Sequence, residues 1–168
     1  MAELTTRERH QPCLLDRLTD DEPQQKQESR DKRVMSSTQV RRSVLRDLAW
    51  LLNSAQRFKP EELADYPQVV SSVINYGIPD FCGLTHSSVQ PGQVERQVQD
   101  ALVRFEPRVL RRGLSVRAAS DTAQMSRNAV VFEIRGELWA QPMPEALYVK
   151  TAMDLETGSV SVQERPYG

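Results

Sequence analysis

Between Val40 and Ala55 the apolar residues Val40, Val44, Leu45, Leu48, Leu51, Leu52 and Ala55 recur at helical spacing. They fall within an arc of roughly 140° on a helical wheel, which predicts an amphipathic helix over Thr38 to Ser54. Ser36 with Gln39 three residues later offers a capping box at its start. Trp50 lies off the apolar arc, where a large aromatic is either covered by a second surface or exposed, which favours an interface.

A second stripe, Val94, Val98, Ala101, Leu102 and Phe105, predicts a helix from Pro91 to Phe105. Pro91 suits the first helical position, and Pro107 disfavours helical geometry at Glu106. Between these two helices, Gln68 to Ile74 is apolar enough for a short buried helix, with Gly77 placed to end it. Gly77 to Gly83 reads as a turn-rich loop anchored on the core by Ile78 and Phe81.

From Gly113 the period changes to two. Leu114, Val116 and Ala118 alternate with Ser115, Arg117 and Ala119, and Val130, Phe132 and Ile134 alternate with Val131, Glu133 and Arg135. Leu147, Val149 and Thr151 continue the pattern, and Glu156-Thr157-Gly158-Ser159 forms a hairpin turn before Val160 and Val162. Helical segments followed by strands define an α+β fold, with helices packed on one face of a small antiparallel C-terminal sheet of three or four strands.

Composition adds a polar leader to this picture. The 168 residues are 39% hydrophobic and 27% charged, with a mean hydropathy of −0.55. That length supports one domain. Residues 1–35 are dense in charge and glutamine and read as a flexible arm, leaving 36–168 as the folded domain. The arm carries one apolar cluster, Leu14, Leu15 and Leu18, on one side of a short helix; it either packs on its own domain or binds a partner.

Twenty-two basic residues against 23 acidic ones give a net charge of −1, which removes any whole-chain attraction to nucleic acid or anionic membrane. No apolar run is long enough to span a bilayer, and Glu3, Arg7, Glu8 and Arg9 occupy the start, where a signal peptide needs an apolar core. A cytoplasmic protein is expected. Cys13, Cys82, His10 and His86 match no metal-ligand spacing, and two cysteines build no disulfide framework. No metal and no cofactor is expected.

Enzyme chemistry finds few parts. Glu106 is flanked by Phe105 and Pro107, but Arg108 beside it favours the ionised carboxylate and opposes general-acid work, so a peptidoglycan hydrolase is a poor alternative. No Gly-x-Ser-x-Gly elbow is present. The stretch from Arg96 to Arg117, with Arg104, Arg108, Arg111 and Arg112, is the most basic region and leaves a nucleic-acid-binding module as the other alternative.

Four strings carry a resemblance. Leu14-Leu15-Asp16-Arg17-Leu18, Ser43-Val44-Leu45-Arg46-Asp47-Leu48, Ser72-Val73-Ile74-Asn75-Tyr76-Gly77-Ile78-Pro79-Asp80-Phe81 and Phe105-Glu106-Pro107-Arg108 are similar, in order and spacing, to the TssE baseplate-wedge family of bacterial type VI secretion. That family groups with baseplate proteins of contractile phage tails that carry a "lysozyme-like" name. The resemblance spans about Ser36 to Val162, plus the leucine box, and implies a structural subunit without enzymatic activity. It implies binding to the wedge proteins TssF and TssG, and through the wedge to TssK. It further implies a starting platform for the TssB/TssC sheath at the cytoplasmic side of the inner membrane, without membrane insertion.

The protein-binding residues that follow are Glu106, Pro107 and Arg108, with Trp50, Leu14, Leu15 and Leu18. Glu106 and Arg108 flank a proline and would present an acceptor and a donor fork to wedge helices; the alternative is an intradomain salt bridge at the helix end. If Val130 to Ile134 and Leu147 to Thr151 leave an edge unpaired, an extended sheath segment could add to it.

Overall fold

A computed structural model describes residues 10–19, 23–24, 34–84, 88–118, 129–140 and 143–165 of the chain. Of the expected arm, residues 10–19, 23–24, 34 and 35 fall within it, and the remainder lies outside the described residues, as does Ala119. The helices are α1 (Leu14–Leu18), α2 (Ser37–Leu52), α3 (Pro67–Val70) and α4 (Pro91–Phe105), followed by β1 (Ser115–Ala118), β2 (Ala129–Leu138), β3 (Glu145–Asp154) and β4 (Val160–Glu164).

The two long helices start and stop for local reasons. Ser36 and Gln39 form a reciprocal capping box, each side chain bonding the other's backbone N–H, at 3.4 and 2.8 Å, so two otherwise orphaned donors are satisfied. α2 ends at Leu52, two residues before the expected end, with Asn53 as its C-cap. α4 has the expected bounds, with Pro91 at its first position and Glu106 as its cap.

The sheet is a four-stranded antiparallel meander in the order β1-β2-β3-β4. Phe132 pairs with Thr151 and Ile134 with Val149, so Val130, Phe132, Ile134, Leu147, Val149 and Met153 share the face that is buried. α2 and α4 pack on that face with Val44, Leu48, Leu51, Val94, Val98 and Leu102, all at most 1% exposed. Burying each such aliphatic side chain contributes about 1.5–3 kcal/mol. The helices therefore do cover one sheet face. Val131, on the opposite face, is buried as well. Arg41 fastens α2 to the sheet by bonding Glu145 at 3.3 Å, the Ala146 carbonyl at 2.6 Å, and Glu164.

Two expectations are corrected. The segment from Gln68 to Ile74 is not one buried helix: α3 ends at Val70, a turn intervenes, and Val73 to Asn75 form a 3₁₀ turn. Val73 and Ile74 are 85% and 60% exposed, while the polar Asn75 is buried and accepts from the Phe58 backbone N–H at 3.1 Å. The Ser72 hydroxyl donates to the Val69 carbonyl at 2.9 Å, a local bond that competes with helical continuation. The second correction concerns the edge. β2 lies between β1 and β3, and β3 between β2 and β4, since strands consecutive in sequence tend to pair with one another. Neither inner strand leaves a free edge; the outer strands are β1 and β4.

Ile78 and Phe81 do anchor the loop, at 4% and 7% exposure. Gly77 has φ +122°, and a Cβ there would lie 2.1 Å from the Ser54 carbonyl oxygen. Only glycine lets this strand of chain approach the end of α2, where Ile78 N–H bonds Ser54 O at 2.9 Å.

Candidate functional site

A groove of about 490 Å³ opens between the leader and the domain. Leu15 lines it from α1, Asp47 and Trp50 from α2, and Tyr76 from the loop. Phe105 to Arg108 close it at the end of α4. Of the residues expected to bind protein, the groove collects Leu15, Trp50, Glu106, Pro107 and Arg108. Leu14 and Leu18 are not among its lining and stand 71% and 74% exposed on α1.

The Glu-Pro-Arg turn follows from the end of α4. With Pro107 next, the chain leaves helical geometry at Glu106, whose N–H still bonds Leu102 O at 2.9 Å. The chain then runs alongside β2, where Trp139 N–H bonds Arg108 O at 2.7 Å and Leu110 N–H bonds Glu137 O at 2.8 Å. Glu106 is 3% exposed. Its two oxygens accept from Arg108 Nε at 2.7 Å and Nη2 at 2.6 Å, a bidentate pair. The Glu106–Arg108 salt bridge is thus intradomain, and Pro107 is the exposed member of the motif.

Arg108 reaches further into the domain. Its Nη1 donates to Ser43 Oγ at 3.1 Å and its Nη2 to Asp47 Oδ2 at 2.5 Å. Asp47 in turn accepts from Arg46 Nε at 2.9 Å, and Arg46 Nη1 donates to Asp16 Oδ1 at 2.6 Å. Five charges of alternating sign, Asp16–Arg46–Asp47–Arg108–Glu106, link the leader, α2 and the turn after α4. Arg46 also lies over the Trp50 ring, 5.1 Å from its centroid.

The local fields follow from this chain. Burial alone would raise the Asp16 carboxyl, but hydrogen bonds from Cys13 and Arg46 with the Arg46 and Arg108 charges hold it below the ordinary carboxylate range. Burial works against the Arg108 cation, yet Glu106 and Asp47 outweigh it and push the guanidinium further up. Burial raises the Tyr76 phenol, helped by the Asp47 and Glu106 charges. The result is a set of fixed, mutually paired charges that hold a shape, with Trp50, Tyr76, Phe105 and Pro107 supplying apolar contact area.

Within the basic stretch from Arg96 to Arg117, Arg104, Arg111 and Arg112 are exposed, whereas the other three arginines meet partners in the domain. Arg96 bonds its own helix at Gly92 O, Arg108 turns inward, and Arg117 faces Glu95 at 3.9 Å.

Asp16, Ser43, Arg46, Asp47 and Tyr76 were not singled out as site residues from sequence. Ser43, Asp47 and Trp50 stand at i, i+4 and i+7 on α2, a second stripe flanking the apolar arc. That spacing is the signal that could have marked them.

The fold is α+β, and the charged groups that line the groove are engaged with one another. Residues 38–143 match the baseplate wedge protein gp25 family, and the chain belongs to that family, which includes the TssE subunits of type VI secretion. No curated protein and no solved structure matches the chain. Among the described residues no helix is long and apolar enough to cross a membrane.

Proposed function

We propose that this chain is the TssE-type wedge subunit of a type VI secretion baseplate. In this reading it joins the TssF and TssG wedge proteins, contacts TssK through the wedge, and gives the TssB/TssC sheath its starting platform at the cytoplasmic side of the inner membrane. Membership of the wedge family supports a structural baseplate role. The observation that carries the finer reading is the groove. It brings the Glu-Pro-Arg turn, Trp50 and Leu15 onto one surface from segments far apart in sequence. The charged forks of Glu106 and Arg108 hold the turn, and Pro107 and Trp50 offer exposed contact area beside them.

An available sheet edge supports the sheath platform. At the two ends of β4, Asp154 N–H of β3 bonds Ser159 O and Arg165 N–H bonds Tyr148 O of β3, so antiparallel alternation turns the main-chain groups of Val162 and Glu164 away from β3. An extended segment could pair there by strand addition.

The test is co-purification of the full chain with TssF- and TssG-like proteins of the same bacterium. Wild type should enter a stable complex, and Trp50→Ala and Pro107→Ala, both altered at exposed positions, should lower recovery while keeping the fold. A folded wild type that binds neither partner sinks the reading and redirects attention to salt-dependent nucleic-acid binding.

A further inference from the structure

The outer strands β1 and β4 differ in what meets their outward main-chain groups. In β1, Val116 and Ala118 pair with Ile134 and Phe132 of β2. Ala118 N–H donates to Glu95 Oε1 at 2.8 Å, and the Leu114 carbonyl just before the strand accepts from Gln99 Nε2 at 3.3 Å. Both partners are side chains of α4. Antiparallel alternation therefore turns the main-chain groups of Leu114, Val116 and Ala118 away from β2, where they form the outer row of the edge.

Glu95 and Gln99 stand one helical turn apart on α4, beside its buried stripe of Val94, Val98 and Leu102. They bond the two ends of that row. Arg117 belongs to the face of β1 opposite the buried Val116, yet its guanidinium comes round the edge to 3.9 Å from Glu95 Oε2.

The ladder is also interrupted just before β1. Arg108 and Leu110 bond β2, but the next three residues turn out of line: Leu114 N–H bonds Arg111 O at 3.4 Å, and Gly113 has φ +81°. Arg111 and Arg112 are exposed there. An irregular, charged edge opposes further pairing. On β4, by contrast, Asn53 bonds the first residue, Val160, and Val162 and Glu164 lie beyond it.

We propose that α4 closes the β1 edge, Glu95 and Gln99 taking the hydrogen bonds of a further strand, so that an extended polypeptide segment finds its pairing row on this sheet at β4 alone. The partner excluded is a second copy of this chain, whose own outer strand would otherwise continue the sheet. Pairing is then one-sided: the sheet takes one added strand and offers no second edge for growth. The inference rests on the strand-addition reading only for pairing at β4, and closure of β1 is tested apart from any wedge or sheath protein.

The experiment uses the isolated full chain. In Glu95→Ala, the Ala118 amide should exchange at least about tenfold faster than in wild type. Glu95→Gln keeps an oxygen that accepts from Ala118 N–H and should exchange as wild type does. Glu95→Ala with Gln99→Ala, in which alanine suits the helix, should self-associate at least about tenfold more tightly than wild type in sedimentation. Adding Ala118→Pro removes an outward donor without losing a β1–β2 bond, and should restore the wild-type association state. Unchanged Ala118 exchange in Glu95→Ala overturns the inference. So does a folded double variant that associates no more than wild type, or association that persists with Ala118→Pro, which places the contact elsewhere. Wild type that binds no wedge protein sinks the wedge reading and leaves these outcomes as they stand.

Discussion

Arg108 Nη2 lies 2.5 Å from Asp47 Oδ2, joining the turn after α4 to the middle of α2 across 61 positions of sequence. The same guanidinium holds Glu106, whose side chain is 4% exposed. Removing it leaves a buried carboxylate uncompensated, a more costly state than losing an exposed ion pair. Arg108→Ala should therefore destabilise the domain by about 3 kcal/mol, the lower end of the range for breaking a buried pair because Arg108 itself keeps some contact with water. Urea unfolding measures this directly, and a midpoint equal to wild type would show that the pair contributes nothing. Any loss of wedge binding in this variant has to be read against that loss of stability.

The fold was legible where a periodic pattern meets clear punctuation. α4 runs between Pro91 and the Glu106-Pro107 step as expected, because both ends are set by proline geometry within one turn. The strands were legible from period-two alternation, with Val149 and Ile134 paired face to face. The segment after Pro67 was not, because Val73 and Ile74 are apolar yet exposed, while Asn75 is buried for its hydrogen bond. The strand edges depend on pairing order, which alternation within one strand does not encode. For the site, the Glu-Pro-Arg string was readable, but its partners were not. Asp16 and Arg46 are 30 positions apart, and such long-range ion pairs leave no local spacing to find.

Acid should release the leader. The folded carboxyl of Asp16 sits below its ordinary value, so the contribution of its pair with Arg46 is complete above the undocked value of about 3.9 and fades as pH falls through the lower docked one. Between pH 8 and 5 the leader should stay docked, and its hold should weaken only as pH falls below about 3.9 toward the lower docked value. Trp50 fluorescence in a Trp139→Phe background reports the change, since Arg46 bridges Asp16 and the Trp50 ring. The test fails the idea if the same acid transition persists in Asp16→Asn.

Gly77→Ala should be among the most damaging single changes. The residue's φ of +122° is strained for any L side chain, and the new methyl would lie 2.1 Å from the Ser54 carbonyl oxygen, a backbone atom that cannot rotate aside. Separating the loop from α2 would also break the Ile78–Ser54 and Gln56–Ile78 hydrogen bonds. A loss of at least about 3 kcal/mol is expected, measured by thermal or urea unfolding. Loss of the soluble folded protein would agree with this, whereas a wild-type midpoint would contradict the close approach.

Asn53 completes the outer side of β4 where it starts. Its Oδ1 accepts from Val160 N–H and its Nδ2 donates to Val160 O, both at 2.8 Å, the two bonds that a neighbouring strand residue would otherwise make. The amide is partly solvated, so Asn53→Ala should cost about 1–2 kcal/mol rather than the full penalty of two buried bonds. Its second effect is on the edge. With Val160 uncovered, the open main-chain row lengthens from Val162 and Glu164 back to the strand's first residue, and exposed edges recruit further strands. Asn53→Asp separates the two effects: the carboxylate still accepts from Val160 N–H but repels the Val160 carbonyl, so the edge becomes charged and poorly suited to pairing. Both variants should unfold at lower urea than wild type, while only Asn53→Ala should self-associate at high concentration in sedimentation. Equal self-association of the two would show that the Asn53 amide does not control access to β4.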